Sequence, residues 1–138
     1  MVTKKKVLVG ILMGSKSDAE TMRETENILR RCKIPYETNV LSAHRNPDKV
    51  RRYARSAKKR GLKVLICGAG MSAALGGVVS SYTELPVIGV PIHTKTLKGL
   101  DSLLSTVQMP AGVPVAGMAI GKSGAKNAGI FAARILGL

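Results

Sequence analysis

The 138-residue chain has no tryptophan, one phenylalanine and three tyrosines, so its core must be built from Val, Ile, Leu and Ala. Acid is scarce too, with 8 Asp and Glu against 22 Lys and Arg and a formal net charge of +14. The charge raises a nucleic-acid-binding module as a rival reading, but the shortage of aromatics removes the platforms on which such modules stack bases. No apolar run reaches the ~18–20 residues that cross a bilayer. Val7–Met13 leads into a glycine turn and not a cleavage site, so a cytoplasmic location is expected, with no membrane partner. The two cysteines, Cys32 and Cys67, stand in dissimilar settings and are expected as buried thiols, not as a disulfide. The two histidines, His44 and His93, lie behind different strands with no carboxylate cluster or cysteine pair beside them. That argues against a metal site.

What is present is alternation. Apolar runs at Val7–Met13, Tyr36–Leu41, Val64–Cys67, Pro86–Val90 and Val113–Ile120 read as strands. Between and after them come helical stretches: one with Ala19, Met22, Ile28, Leu29 and Cys32 on a single face, then Pro47–Arg60 stopped by Gly61, a third ending near Tyr82, Leu100–Val107, and Ala125–Leu136. Repeated βα units mean a parallel sheet with helices on both faces. The fold class expected is α/β, a three-layer α/β/α sandwich with a flavodoxin-like, doubly wound, five-stranded sheet in the order 2-1-3-4-5 and a crevice where strands 1 and 3 diverge. We expect one domain over residues 1–138, with 1–6 as a basic tail and no internal repeat beyond the βα unit.

The candidate functional residues all lie after the carboxyl ends of these strands: 15–18, 42–45, 68–72, 95–98 and 122–127. The most informative stretch is Leu41-Ser42-Ala43-His44-Arg45-Asn46-Pro47-Asp48. Asn46 suits an N-cap, Pro47 the first helical position and Asp48 the positive end of the helix dipole. The turn then presents a hydroxyl, an imidazole and a permanent cation together, a set fit for a small anionic ligand. A core histidine satisfied by the backbone is the bland alternative for His44, and its place at the crevice beside Arg45 favours function. Gly14-Ser15-Lys16-Ser17-Asp18 joins a strand to a helix start, where free N–H groups and two hydroxyls make an anion site. It lacks P-loop spacing, and a plain N-cap would use the same residues. Gly68-Ala69-Gly70 admits either close approach of a ligand or tight strand–helix packing. His93 reads as a surface residue. Seven basic residues of twelve in Lys49–Arg60 cover most of one helix surface and read as a solvated face.

Four motifs in order carry a resemblance. Met13-Gly-Ser-Lys-Ser-Asp18, Ser42-Ala-His-Arg45 with Pro47-Asp48, Leu100-Asp-Ser-Leu103 with Val107-Gln-Met-Pro110, and Gly112-Val-Pro-Val115 with Ala119-Ile-Gly121 resemble the PurE family of purine biosynthesis, from about Val7 to Leu136. The resemblance implies an aminoimidazole ribonucleotide mutase or carboxylase that needs neither metal nor organic cofactor, with a ribonucleotide and CO2 as its small-molecule partners. It implies that Ser15, Ser17 and Arg45 hold the phosphate and that Asp18 contacts the ribose–phosphate part. Gly14 and Ala43 complete that substrate-binding set. Ser42 and His44 would face the imidazole, with His44 as general acid/base, and Gly70, Met71, Ser72 and Ala73 would line the carboxylate or CO2 pocket. It further implies a homo-octamer with sites between subunits, small residues in 68–81 and the last helix allowing the contact.

Two departures bear on the reading. Mutase-type members usually read Gly-Gly-Ala-Ala-His-Leu-Pro-Gly where this chain has Gly70-Met71-Ser72-Ala73-Ala74-Leu75-Gly76-Gly77, so Ala74 replaces a histidine. That loop looks more like carboxylases that take CO2 directly, or like the carboxylase of a nicotinate-derived nucleotide, while Gly89-Val-Pro91 and Val107–Pro110 remain mutase-like. Relatives also usually continue past the position of Leu138 with another helix, so an octamer or a smaller symmetric part of one is expected. The mutase is the first reading and direct carboxylation the alternative.

Overall fold

The computed structural model describes residues 6–138, so the basic tail expected over 1–6 lies, Lys6 apart, outside the described residues. In chain order the elements are β1 (Val9–Met13), α1 (Ala19–Arg31), β2 (Tyr36–Val40), α2 (Pro47–Ala57), β3 (Val64–Ala69), α3 (Leu75–Ser81), β4 (Val87–Pro91), α4 (Leu100–Val107), β5 (Ala116–Gly117) and α5 (Lys122–Ile135). All strand pairs are parallel, in the order β2-β1-β3-β4-β5. The expected architecture and order are those observed.

The central strands are buried along their length because helices cover both faces. On one face Val9, Ile11, Val64, Ile66, Ile88 and Val90 meet Met22 and Leu29 of α1 and Ala125, Ala128 and Ala132 of α5. On the other, Leu12, Leu65, Cys67 and Val87 meet Val50 and Ala54 of α2 and Leu75 and Val79 of α3. The α4 helix joins this second face, since a Cβ at Gly89 would strike Thr106, and Gly89 shares the side of Val87 by the strand's period of two.

Helices α1 and α5 lie against each other through small residues. Ala125, Ala128 and Ala132 are fully buried, a Cβ on Gly129 would press on Ile28, and the buried Thr25 hydroxyl donates to the Ala125 carbonyl at 2.7 Å. The small residues of the last helix, expected at a subunit contact, therefore serve an intramolecular one.

Several boundaries differ from expectation for identifiable reasons. The second helix stops at Ala57, not Arg60, and Gly61 (φ +100°) follows in the turn, where Leu62 N–H reaches back to the Ala57 carbonyl at 3.1 Å. The fifth strand shrinks from Val113–Ile120 to Ala116–Gly117. Gly112 (φ +96°) turns the chain, Pro114 has no N–H to offer, and the Pro114 carbonyl accepts from Ser80 Oγ at 2.7 Å instead of joining the ladder. Cys67 is buried, which pushes its thiol up to about 12, but Cys32 is exposed at the end of α1, contrary to the expectation of two buried thiols.

Candidate functional site

Parallel strands place every βα loop at one end of the sheet, and the loops after β1, β2, β3 and β4 meet there around an open trough of about 730 Å³. Gly14, Ser15, Ser17, Asp18, Ser42, Ala43, His44, Arg45, Gly70, Met71 and Ser72 all line it. Ala73 is buried behind the wall and is not among the lining residues. The cluster at 122–127 does not join either, since Gly121 N–H is tied to the Pro91 carbonyl at 2.8 Å and α5 starts on the other side of the sheet.

The loop after β2 is organised by Ser42. Its Oγ accepts from the N–H groups of His44 (3.2 Å) and Arg45 (3.1 Å), folding the turn that holds both side chains at the mouth of the trough. The hydroxyl proton stays available to a ligand. Asn46 does not act as the expected N-cap: its Oδ1 accepts from Ser42 N–H at 3.3 Å, so the side chain closes the loop and not the helix. His44 and Arg45 are exposed, and among the described residues their side chains make no hydrogen bond within the chain.

The loop after β1 differs from expectation in chemistry. Four of its five amides are engaged: Gly14 N–H bonds the Gly68 carbonyl, Ser15 N–H the Asp18 carboxylate, Ser17 N–H the Ser15 hydroxyl and Asp18 N–H the Ser15 carbonyl. Anion contacts fall mainly to the Ser15 and Ser17 hydroxyls, which lie 2.9 Å apart, with Lys16 N–H as the amide of the turn not engaged by these bonds. A Cβ on Gly14 would meet nothing nearer than Asp18 Oδ2 at 4.0 Å, so packing does not demand glycine there and the bare backbone faces the trough. Gly70 is similar, with ordinary contacts from 3.5 Å outwards, whereas a Cβ on Gly68 would run into Met22. Of the Gly68-Ala69-Gly70 run, the first glycine serves packing and the last serves the trough.

Asp18 is 8% exposed, and burial raises its carboxyl above the ordinary value while the Ser15 N–H pulls the other way. The folded chain thus keeps a proton over a window in which the unfolded chain has lost it. Stability is undiminished below the ordinary carboxylate value and falls as pH rises through the folded one. Asp18→Asn keeps an oxygen for Ser15 N–H and never ionises, so the variant should gain on the parent as pH rises through the weakly acidic range. Denaturant midpoints across that range would show it, and parallel profiles would contradict it.

Sequence reasoning left His93 as a surface residue and did not assign Lys95. Both line the trough, with Thr94, Thr96, Asp101, Ala74 and Leu75. Their place behind β4 was the available signal. Asp101 Oδ1 accepts from Thr94 Oγ1 at 2.7 Å, and that oxygen accepts from Gly99 N–H at 2.9 Å, which fixes the β4–α4 loop over the site. Among the described residues no group of three or more His, Cys, Asp or Glu is placed to hold a metal ion.

The basic face of α2 is partly engaged by the chain itself. Arg51 pairs with Asp48 (3.4 Å), Lys58 with Glu84 (3.1 Å) and Arg60 with Glu37, while Arg55 lies over the Tyr82 ring at 5.1 Å. It lies beside the trough and contributes nothing to its lining.

Comparisons with known proteins agree on one family. The family pattern described as AIR carboxylase matches residues 8–138. The N5-carboxyaminoimidazole ribonucleotide mutase of Bacillus subtilis is 58% identical over 129 residues, covering 94% of this chain and 80% of that protein. The mutase of Saccharolobus solfataricus is 59% identical over 130 residues, covering 94% and 81%. The crystal structure of Treponema denticola PurE superposes with a TM-score of 0.83 at 31% identity, covering 94% of this chain and 80% of that one. With the trough at the expected strand ends and the match running over nearly its whole length, the chain belongs to the AIR carboxylase (PurE) family.

Proposed function

We propose that the chain is a purine-biosynthesis enzyme that isomerises N5-carboxyaminoimidazole ribonucleotide to 4-carboxy-5-aminoimidazole ribonucleotide. The observation that carries this reading is its 58% identity to the Bacillus subtilis mutase over 94% of the chain. Direct carboxylation is not favoured, because the relatives at 58% and 59% are both mutases, although Ala74 does put a methyl group into the trough.

The residues have distinct tasks. The Ser15 and Ser17 hydroxyls and the Arg45 guanidinium hold the phosphate, and Asp18, behind Ser15, bounds the ribose end. The N5–carboxyl bond breaks with its electron pair left on N5, which takes up a proton. Ring C4 attacks the freed CO2, and the C4 hydrogen then leaves as a proton. One proton is gained and one lost, so a single imidazole can serve both transfers, and His44 at the mouth of the trough is that group. The Gly70–Ser72 wall holds CO2 between the two steps.

The test supplies the purified chain with the N5-carboxylated compound in one assay and aminoimidazole ribonucleotide plus bicarbonate in another. Faster turnover of the first supports the mutase. Turnover only with dissolved CO2 would overturn it. Arg45→Ala should raise KM by roughly tenfold or more with little change in kcat, since a charge-assisted phosphate contact acts in ground and transition states alike. A fall in kcat alone would remove Arg45 from the phosphate site.

Self-association belongs to the same reading. Leu97, Leu100, Leu104 and Val107 on and before α4, and Ile130, Phe131 and Ile135 on α5, are large apolar side chains left exposed. Such faces are expected to be covered by further copies of the chain. Light scattering should find an oligomer at micromolar concentration, and a monodisperse monomer would refute this.

A further inference from the structure

We propose that Ser102, which lies outside the trough, is a positioning residue whose hydroxyl sets the Gly70–Ser72 wall against the end of β4. The inference rests on the reading of that wall as the enclosure for CO2.

Ser102 is fully buried in the first turn of α4. Its Oγ accepts from Met71 N–H at 3.0 Å and donates to the Ile92 carbonyl at 2.7 Å, so one side chain joins two loops that line the trough from different strands. The hydroxyl both donates and accepts in this bridge, and removing it leaves a part-buried N–H on one loop and a buried carbonyl on the other without their shared partner.

The loop so held needs holding. Met71 adopts φ +59°, a conformation that a side chain other than glycine rarely takes, and it is 69% exposed, so no burial of the side chain keeps it there. Hydrogen bonds to its backbone hold it: the Met71 carbonyl accepts from Ala73 N–H within the loop at 2.9 Å and from Ser105 Oγ at 3.5 Å, and the Met71 N–H donates to the buried Ser102 hydroxyl at 3.0 Å. The anchor is itself rigid: Thr106 Oγ1 donates to the Ser102 carbonyl at 2.7 Å, and Ile92 N–H bonds the Ala69 carbonyl at 3.0 Å. Gly70 passes close by as well, since a Cβ there would lie in ordinary contact with Ser102 Oγ at 3.8 Å. A Ser102 that merely stabilised α4 would need no partner on the loop after β3.

Ser102→Ala should therefore loosen the wall while sparing the phosphate end. The readout is the fate of the migrating carboxyl. An isotopically labelled N5-carboxylate is turned over in buffer holding unlabelled bicarbonate, and label in the product is compared with label lost to the pool. The parent chain should retain most of the label, and Ser102→Ala should lose about fivefold more, the scale of losing one net hydrogen bond. KM should change little, and the Met71 amide should exchange with solvent faster. If Ser102→Ala does not fold, Ser102→Cys keeps the volume with a much weaker donor and acceptor, and should leak label in the same direction. Retention at the parent's level with Met71 exchange unchanged would overturn the proposal. A parent that fails to turn over the N5-carboxylated compound would sink the mutase reading instead, and Met71 exchange would still decide whether Ser102 holds the loop.

Discussion

His44→Asn should lower turnover of the N5-carboxylated ribonucleotide by ~10²-fold or more, the usual scale for losing a general acid/base, while the thermal midpoint moves by no more than about 2 °C. Both halves follow from the site. The imidazole is exposed and among the described residues makes no hydrogen bond, and the turn around it is built from the His44 backbone N–H and the Ser42 hydroxyl, which asparagine leaves intact. Asparagine matches the side chain in polarity and roughly in size but cannot take up and return a proton at neutral pH. Stopped assays with a product-specific readout, paired with a melting curve, check the split. An active His44→Asn variant would remove the imidazole from the mechanism, and a collapse in stability would make it a structural residue.

The largest effect on stability is expected at Gly124, far from the chemistry. A Cβ built there would lie on the Ala119 carbonyl oxygen, with Ala119 C and N also close. That obstacle is backbone, which cannot swing aside as a side chain could. It sits in the segment that enters α5, the helix that covers the sheet together with α1. Gly124→Ala gains helix propensity worth about 1 kcal/mol at most. Overpacking against fixed backbone costs typically 1–3 kcal/mol and occasionally more, so we expect a net loss of about 2 kcal/mol and a fall of roughly 5–10 °C in Tm. A variant that melts with the parent would mean that the Ala119 turn shifts freely. By contrast, alanine at Gly14 meets open space, so its effect should fall on ligand binding.

The order of elements was legible in the residues alone, because apolar runs of strand length alternating with amphipathic stretches admit few arrangements other than a parallel sheet covered on both faces. It pointed to one end of the sheet as well, since in such a sheet all βα loops reach the same end, and the residues after β1 to β3 that line the trough there were already distinctive in type. Local rules failed where a residue had a better partner at a distance. Asn46 has the chemistry of an N-cap but bonds Ser42, Pro114 lies in an apolar run but its carbonyl accepts from Ser80, and four of the five amides of the Gly14–Asp18 turn, legible as an anion cradle, are used within the turn and by Gly68. It took the folded chain to show that the small residues of α5 face α1, that His93 lines the trough, and that Ser102 bridges Met71 and Ile92. These depend on pairs of residues brought together from separate βα units, and periodicity along one segment carries no information about which carbonyl or amide a distant segment will present to it.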